Sequence, residues 1–581
     1  MKSNVGWDAS RCGNEGAAEV STGLRSNSTG VALMLEGISP PRPAKESLWS
    51  LPHLIRRTSR PTPSSIQAYR WPILAVSGLL LPAVLVAAAD DQSVVLQQLL
   101  HRVEQLEGEI KTLKQAALPQ VQVVPSFNPI RLEELEQKLK VVERKNELAV
   151  DAAQDKAKSA SLVSASPKGF QIRSADTNFV LTFHGYVQAD ARYFPGNNTA
   201  GTANDTFLLR RVRPIVEGTV YGRYDFRLML DLASGITSAA GNNGFLQDAY
   251  LNACFLPEFQ VQAGKFKAPV GLERLQPASN SAFVELGYPT QLVPNRDVGI
   301  EVQGNLFDGR LTYQIAVLNG VADGSSDDQE IADNGKDFAG RLFANPFKTS
   351  SVAGLRGLGL GVSGTLGGQA GALRSLTTPG QQKFFSYRSG NGLGASTPNV
   401  VADGDHWRVS PQGYYYWGPF GLFGEYVISE QQVRRDHGIA TYATFRNSAW
   451  QVIGSYILTG EDSSFGPLTP RQPYTLGDPG WGAWELVGRV GGLEVDRRAF
   501  PVVADPLTSG AGVFSWGIGV NWHLNRSIKL SLDFEHSTFD RSAATPTTPT
   551  APPPGTTAVP ILSPLLRHGE NIIFSRAQVS F

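Results

Sequence analysis

From about residue 169 to the end of the chain, apolar and polar residues alternate with a period of two in one short run after another. In the run Tyr224 to Leu232, Tyr224, Phe226, Leu228, Leu230 and Leu232 share one face. Arg223, Asp225, Arg227, Met229 and Asp231 share the other. Successive side chains of a strand point to opposite faces, so this run predicts a strand with one apolar and one charged face. Leu311 to Val317, Phe514 to Leu524 and Ile528 to Glu535 repeat the pattern. One such strand suits a soluble sandwich as well as a barrel between lipid and a watery lumen. The repetition decides for the barrel. Strands are expected at 177–192, 206–219, 222–232, 245–256, 258–267, 295–306, 309–319, 337–348, 356–366, 404–416, 418–430, 447–460, 482–492, 512–524, 526–539 and 568–581. That is about 16 antiparallel strands, an even number within the range of outer-membrane barrels. No long helical pattern follows residue 169, which argues against an α/β fold.

The junctions also alternate in length. Phe307-Asp308-Gly309 is a tight link, whereas 367–403, 461–480 and 541–567 are long segments rich in Ser, Thr, Pro and Gly. Short turns at one end and long loops at the other are the expected asymmetry of an outer-membrane barrel, and closure leaves no sheet edge bare in lipid. The chain ends on Phe581, with Val579, Ala577 and Ile573 on its face. Bacterial outer-membrane proteins resemble this ending, which serves them as an assembly signal.

Upstream the periodicity changes. Leu96, Leu99, Val103, Leu106, Ile110 and Leu113 are spaced 3, 4, 3, 4, 3. That is the seam of a short coiled-coil helix over 90–118. A Pro/Val linker follows at 119–130. A second helix is expected over 131–158, with Leu132, Leu135, Leu139 and Val142 on its stripe. The run Trp71 to Ala89 is apolar, follows arginines and ends Ala87-Ala88-Ala89. This is the layout of a signal peptide, with a retained membrane anchor as the alternative. Residues 1–70 lack periodicity and are expected to be an unstructured extension or a misassigned start.

Composition narrows the function more than the fold. The chain has 52 basic and 52 acidic residues and no net charge. That argues against a general nucleic-acid-binding surface. Charged residues are 18% of the chain, Gly numbers 60, and aromatics reach 9%, which suits turn-rich strands with aromatic girdles. The two cysteines are Cys12 and Cys254, and no intramolecular disulfide is expected if Cys12 is removed with the leader. No metal-ligand spacing appears. His184, His406, His523 and His536 have no nucleophile motif beside them, and GxSxG, HExxH and P-loop patterns are absent. Neither an enzyme nor a cofactor is therefore expected.

Several stretches resemble the phosphate-selective porin family of the O and P type. They are 169–194, 206–232, 249–275 (AYLNACFLPEFQVQAGKFKAPVGLERL), 295–320 (NRDVGIEVQGNLFDGRLTYQIAVLNG), WQVIGSYILTGE at 450–461, and the last strand. The resemblance implies a trimer of sixteen-stranded barrels in the outer membrane of a Gram-negative type bacterium. It implies a passive channel for small anions such as phosphate, and a third external loop, here about 268–294, folded into the pore. The corresponding anion-contact candidates are Arg211, Arg213, Arg223, Arg227, Lys265, Lys267, Arg274 and Arg296. By strict alternation Arg211 and Arg213 share one face and Arg210 points the other way. Guanidinium groups on a wet wall lower the barrier for an anion, and several weak sites conduct better than one tight site. The loop itself carries only Arg274 as a basic residue, against Glu273 and Glu285. Three alternatives stand beside this one. They are a general or sugar-permeable porin, a barrel anchor whose coil tethers the envelope through the cell wall, and lumen arginines that merely brace the wall.

Overall fold

A computed structural model describes residues 129–159, 161–196, 204–233, 245–328, 334–390, 399–436, 441–477, 479–506, 508–540 and 569–581. The expected extension, the signal peptide, the first coil helix and Cys12 lie outside the described residues. One helix, α1 (Pro129–Ser159), precedes the strands. It covers the second predicted helix. Its stripe residues Leu139 and Val142 are exposed, so no coiled-coil partner is seen among the described residues. No described helix is long and apolar enough to cross a membrane; the strands do the crossing.

A hairpin of β1 (Leu162–Ser166) and β2 (Gly169–Arg173) leads into the sheet. The wall then runs β3 (Val180–Tyr193), β4 (Thr206–Val220), β5 (Tyr224–Leu230), β6 (Leu246–Leu256) and β7 (Phe259–Lys267). It continues with β8 (Arg296–Leu306), β9 (Leu311–Leu318), β10 (Asp337–Ala344) and β11 (Leu358–Ala372). The short pair β12 (Leu376–Thr377) and β13 (Lys383–Phe385) lies outside the wall sheet. The wall resumes with β14 (Asn399–Trp417), β15 (Phe420–Asp436), β16 (Thr441–Ile457) and β17 (Ala483–Glu494). It ends with β18 (Gly512–His523), β19 (Ile528–Asp540) and β20 (Gly569–Ser580). From β3 to β11 and from β14 to β20 each strand pairs antiparallel with the next. β11 pairs with β14, and β20 returns to β3, with Ile573 opposite Tyr193. The result is a closed barrel of 16 strands, with every wall strand paired on both sides. β2 pairs with Val180 to Phe183 at the start of β3, next to the end of β20. The terminal residue completes the seam. Gly185 N–H donates to the Phe581 carbonyl at 2.9 Å, and Phe581 N–H to the Gly185 carbonyl at 3.0 Å. A Cβ on Gly185 would meet the Arg213 carbonyl at 2.5 Å, so only glycine fits at this closure.

The pattern of burial is that of a membrane barrel. Ile315, Phe338, Leu342, Leu360, Leu366, Ile518 and Leu532 are exposed on the outside. Their neighbours in the sequence face inward: Arg341, Thr365, Asp533 and Ser531 are buried. The outward row is the apolar belt that lipid requires. The expected strands match in order and number and differ in extent at several ends; β15 runs on to Asp436 and β16 begins at Thr441, each beyond its expected bound. β11 and β14 continue into the Gly-rich 367–372 and into 399–403, because backbone pairing there does not depend on side-chain alternation. β10 stops at Ala344, ahead of Pro346.

One connection differs from expectation in kind. Strand parity places the segment 458–482, between β16 and β17, at the end of the barrel that carries the tight turns 221–223, 257–258 and 418–419. It is not one of the long loops of the opposite end. Its Phe465 is buried against Phe423 of β15 and Tyr414 of β14.

Candidate functional site

The segment 268–295 between β7 and β8 enters the barrel and binds the far wall. It holds α2 (Leu272–Leu275) and a 3-10 turn at Tyr288–Gln291. The amides of Leu272 and Glu273 donate to the Glu425 carboxylate of β15 at 2.6 and 3.4 Å. Val284 N–H donates to Asp533 of β19 at 2.6 Å, and Gln578 of β20 donates to the Ser279 carbonyl at 3.0 Å. Arg489 of β17 donates to the Glu285 carbonyl at 2.8 Å. The loop's apolar residues Val270, Tyr288, Leu292 and Val293 pack with Phe384 and Phe385, brought in by β13, and with Val427, Leu493 and Val513 of the wall. Backbone groups satisfied from the wall and a shared apolar core fix the loop inside the barrel.

The loop fills one side of the lumen. On the other side it leaves a cavity of about 1070 Å³ along β4 to β10. Arg210, Arg211, Arg213, Arg227, Lys267, Arg274, Arg296, Arg341, Lys348 and Arg374 line it, against Asp231, Asp248, Glu258, Glu285, Glu301 and Asp308. The cations fall into two groups. Four are held by carboxylates. Arg213 donates to Asp231 at 2.8 Å, Arg227 to Glu217 at 2.6 Å and Asp248 at 3.3 Å, Arg296 to Asp248 at 2.7 Å, and Arg210 to Glu285 at 2.5 Å. The other six donate to neutral groups. Arg211 binds the Gln188 amide oxygen at 2.8 Å and Arg341 that of Gln314 at 3.1 Å. Lys267 binds the carbonyls of Leu275 and Gln276, Arg274 that of Thr290, Arg374 that of Gly324, and Lys348 those of Asp308 and Gly309.

Two loop groups register this field. Burial opposes ionisation of Glu285, yet the guanidinium groups of Arg210, Arg211 and Arg192 hold its carboxyl well below the usual carboxylate range. Burial, then the charges of Arg374 and Arg296, brings the Arg274 guanidinium down to about 9. It stays protonated at neutral pH, and the carboxylates of Glu273 and Glu425 only partly offset those like charges.

Of the residues singled out in the sequence, Arg211, Arg213, Arg227, Lys267, Arg274 and Arg296 border this one cavity. Lys265 is buried behind it in an ion pair with Asp328. Arg223 sits in the turn after β4, exposed and away from the cavity. Arg210 faces inward, contrary to strict alternation. The β3–β4 register slips there, with Gln188 opposite Arg211 and Ala189 opposite Leu209, so Arg210 is the extra residue of a β-bulge. Arg341, Lys348 and Arg374 were missed. Arg341 stands between the outward Phe338 and Leu342 and was legible from alternation; Arg374 lies in a loop with no period to read.

A closed barrel, apolar outside and polar within, narrowed but not filled by an inward loop, defines an outer-membrane porin, a channel for small solutes. The sequence profile described as "Phosphate-selective porin O and P" matches residues 181–552. The chain belongs to that family of outer-membrane porins. Porin O of Pseudomonas aeruginosa is 24% identical over 421 residues, covering 66% of this chain and 88% of that protein. Among solved structures, the outer membrane channel DcaP of Acinetobacter baumannii is similar at 11% identity and a TM-score of 0.41, over 71% of this chain and 99% of that one. An anion-selective porin from Comamonas acidovorans gives 12% and 0.40, over 69% and 100%. Membership of that family places the chain among channels rather than enzymes.

Proposed function

We propose that this porin is a passive channel that favours small anions, inorganic phosphate among them. The observation that carries the proposal is the charge of the passage: among the described residues ten cations face six carboxylates, and six of those cations donate to neutral groups. Such cations offer an anion several weak, successive sites without holding it. The carboxylate-bound arginines set the geometry of the wall and contribute less net field.

The same proposal places α1 and the coil ahead of it in the periplasm, behind a cleaved leader at 71–89. A homotrimer would cover the exposed Leu139 and Val142 stripe, and the coil would be free to reach the cell wall. The test uses the purified full chain in a planar bilayer under a potassium chloride gradient. A reversal potential on the chloride side is expected, together with loss of chloride current on millimolar phosphate addition. Cation selectivity, or chloride current indifferent to phosphate, overturns the proposal. A general or sugar-permeable pore is the second reading, favoured by a file of aromatic rings in the lumen.

A further inference from the structure

A second cavity of about 520 Å³ lies toward the end of the barrel with the tight turns. Tyr186, Arg227, Gln276, Pro277 and Phe465 line both cavities and so mark the neck between them. Gln276 donates from Nε2 to the Phe465 carbonyl at 3.1 Å. The inward loop from one mouth and the 458–482 segment from the other therefore meet at this point.

One side of the neck is aromatic. The Arg341 guanidinium lies 4.6 Å over the Phe343 ring, and Phe343 packs 5.2 Å from Tyr414. Tyr414 stacks on Phe465 at 5.6 Å and 27°, and Phe465 on Phe423 at 6.5 Å and 11°. Tyr416 lies 5.0 Å from Tyr414. Arg341 borders the first cavity, Phe465 the neck, and Phe423 and Tyr416 the second cavity. Phe343 and Tyr414 lie behind them and line neither cavity, so the rings of this cluster that border open space are Phe465, Phe423 and Tyr416. Arg227 stands in the neck as well, and Lys529 lines the second cavity, its ammonium donating to the Ser281 carbonyl at 2.9 Å.

A compact hydrated anion gains nothing from such rings, because an aromatic face is the negative part of the ring's quadrupole. A solute with a flat apolar body and one charged end gains from both surfaces. Its body stacks on the rings of Phe465, Phe423 and Tyr416 while its charge stays by Lys529, which unlike Arg227 is bound to a neutral carbonyl. We infer that the neck is a subsite for organic anions with a planar apolar body, the class of aromatic carboxylates. This rests on the anion preference proposed above and adds the shape of the solute to it.

The test compares benzoate with acetate as blockers of chloride current through the purified full chain in planar bilayers. Benzoate is expected to half-block at a concentration about fivefold below acetate, the gain of roughly one stacking contact. Phe465→Leu keeps an apolar residue and removes the ring. It is expected to bring that ratio near one while the reversal potential stays on the chloride side, since no charge is removed. Tyr416→Leu, on the strand wall of the second cavity, is the second variant, with the same expected change. Equal block by benzoate and acetate in an anion-selective channel overturns the aromatic subsite alone. So does a ratio that survives both substitutions. A cation-selective reversal potential overturns the anion preference beneath it, and the two failures are read on different axes of one recording.

Discussion

Arg210 shows what one extra residue does to a charged wall. Alternation sends it to the lipid side with Leu208, where an unpaired guanidinium would be costly. The bulge opposite Gln188 and Ala189 turns it inward instead, onto Glu285. Nothing local in TFLLRRVRP announces that slip, so the arginine faces on either side were legible and this one was not. Among the lumen cations, Arg274 is the loop's own basic residue, and Thr290 holds it only through a carbonyl. Arg274→Gln removes one unit of charge from a wet passage. At about 4 Å in water such a charge is worth roughly 1 kcal/mol. Phosphate block of chloride current is expected to weaken about fivefold, with the folded barrel unaffected. Asp323, in the segment between β9 and β10, gives a pH-dependent case. Burial opposes its ionisation, but Arg408 and His406 bring its carboxyl down to about 2. Arg408 Nε donates to it at 2.7 Å, as does the Ser429 hydroxyl. A folded pKa below the ordinary value of about 3.9 contributes stability that is complete above that value and is lost as pH falls through about 2. The protection factor of the Gly324 amide against hydrogen exchange should therefore be the same at pH 5 and pH 7. Asp323→Asn should lower it at both, by the loss of charged hydrogen bonds worth about 2 kcal/mol.

At the scale of elements, the strands were legible and the lumen loops were not. Strands declare themselves because lipid outside and water inside impose a period of two on residues such as those of β18 and β19. The segment 268–295 enters the barrel through partners far away in sequence: Glu425, Gln451, Arg489 and Asp533. No local pattern encodes those meetings; only the family resemblance pointed to that loop. Phe465 in the 458–482 segment and Phe384 with Phe385 in the 373–398 segment carry no period at all, so the side of the barrel they occupy had to come from the fold. The loop's hold on the wall is open to test at Glu425, whose carboxylate accepts the amides of Leu272 and Glu273 and the Gln451 side chain at 2.9 Å. Glu425→Ala leaves two buried amides without partners, at a cost of about 1–3 kcal/mol each. Single-channel current through this variant should become noisier and larger, as the loop moves off the far wall. Current as quiet as wild type would mean that the apolar core around Val270, Tyr288 and Leu292 holds the loop unaided.

From β3 to β20 the chain is a barrel with an off-centre passage. The inward loop, with residues of 373–387 and of 495–504, builds an apolar core against β14 to β19. The open space is thereby confined to the wall formed by β4 to β10, where the cations lie. Closure through β20 and β3 puts the last residue, Phe581, into the seam beside Gly185 and 5.8 Å from the Phe183 ring. Sequence and structure agree most closely at this scale, since strand number, belt and closure all follow from the two solvents the wall must face. The central claim is that this passage is open to solutes. The measurement that bears on it most directly is the single-channel current of the purified full chain in a planar bilayer with potassium chloride on both sides. Discrete, long-lived current steps are predicted, of uniform size and linear in voltage near zero. A folded, inserted barrel that passes no steps would contradict the account, because it would mean that the inward loops close the lumen and the barrel serves as an anchor.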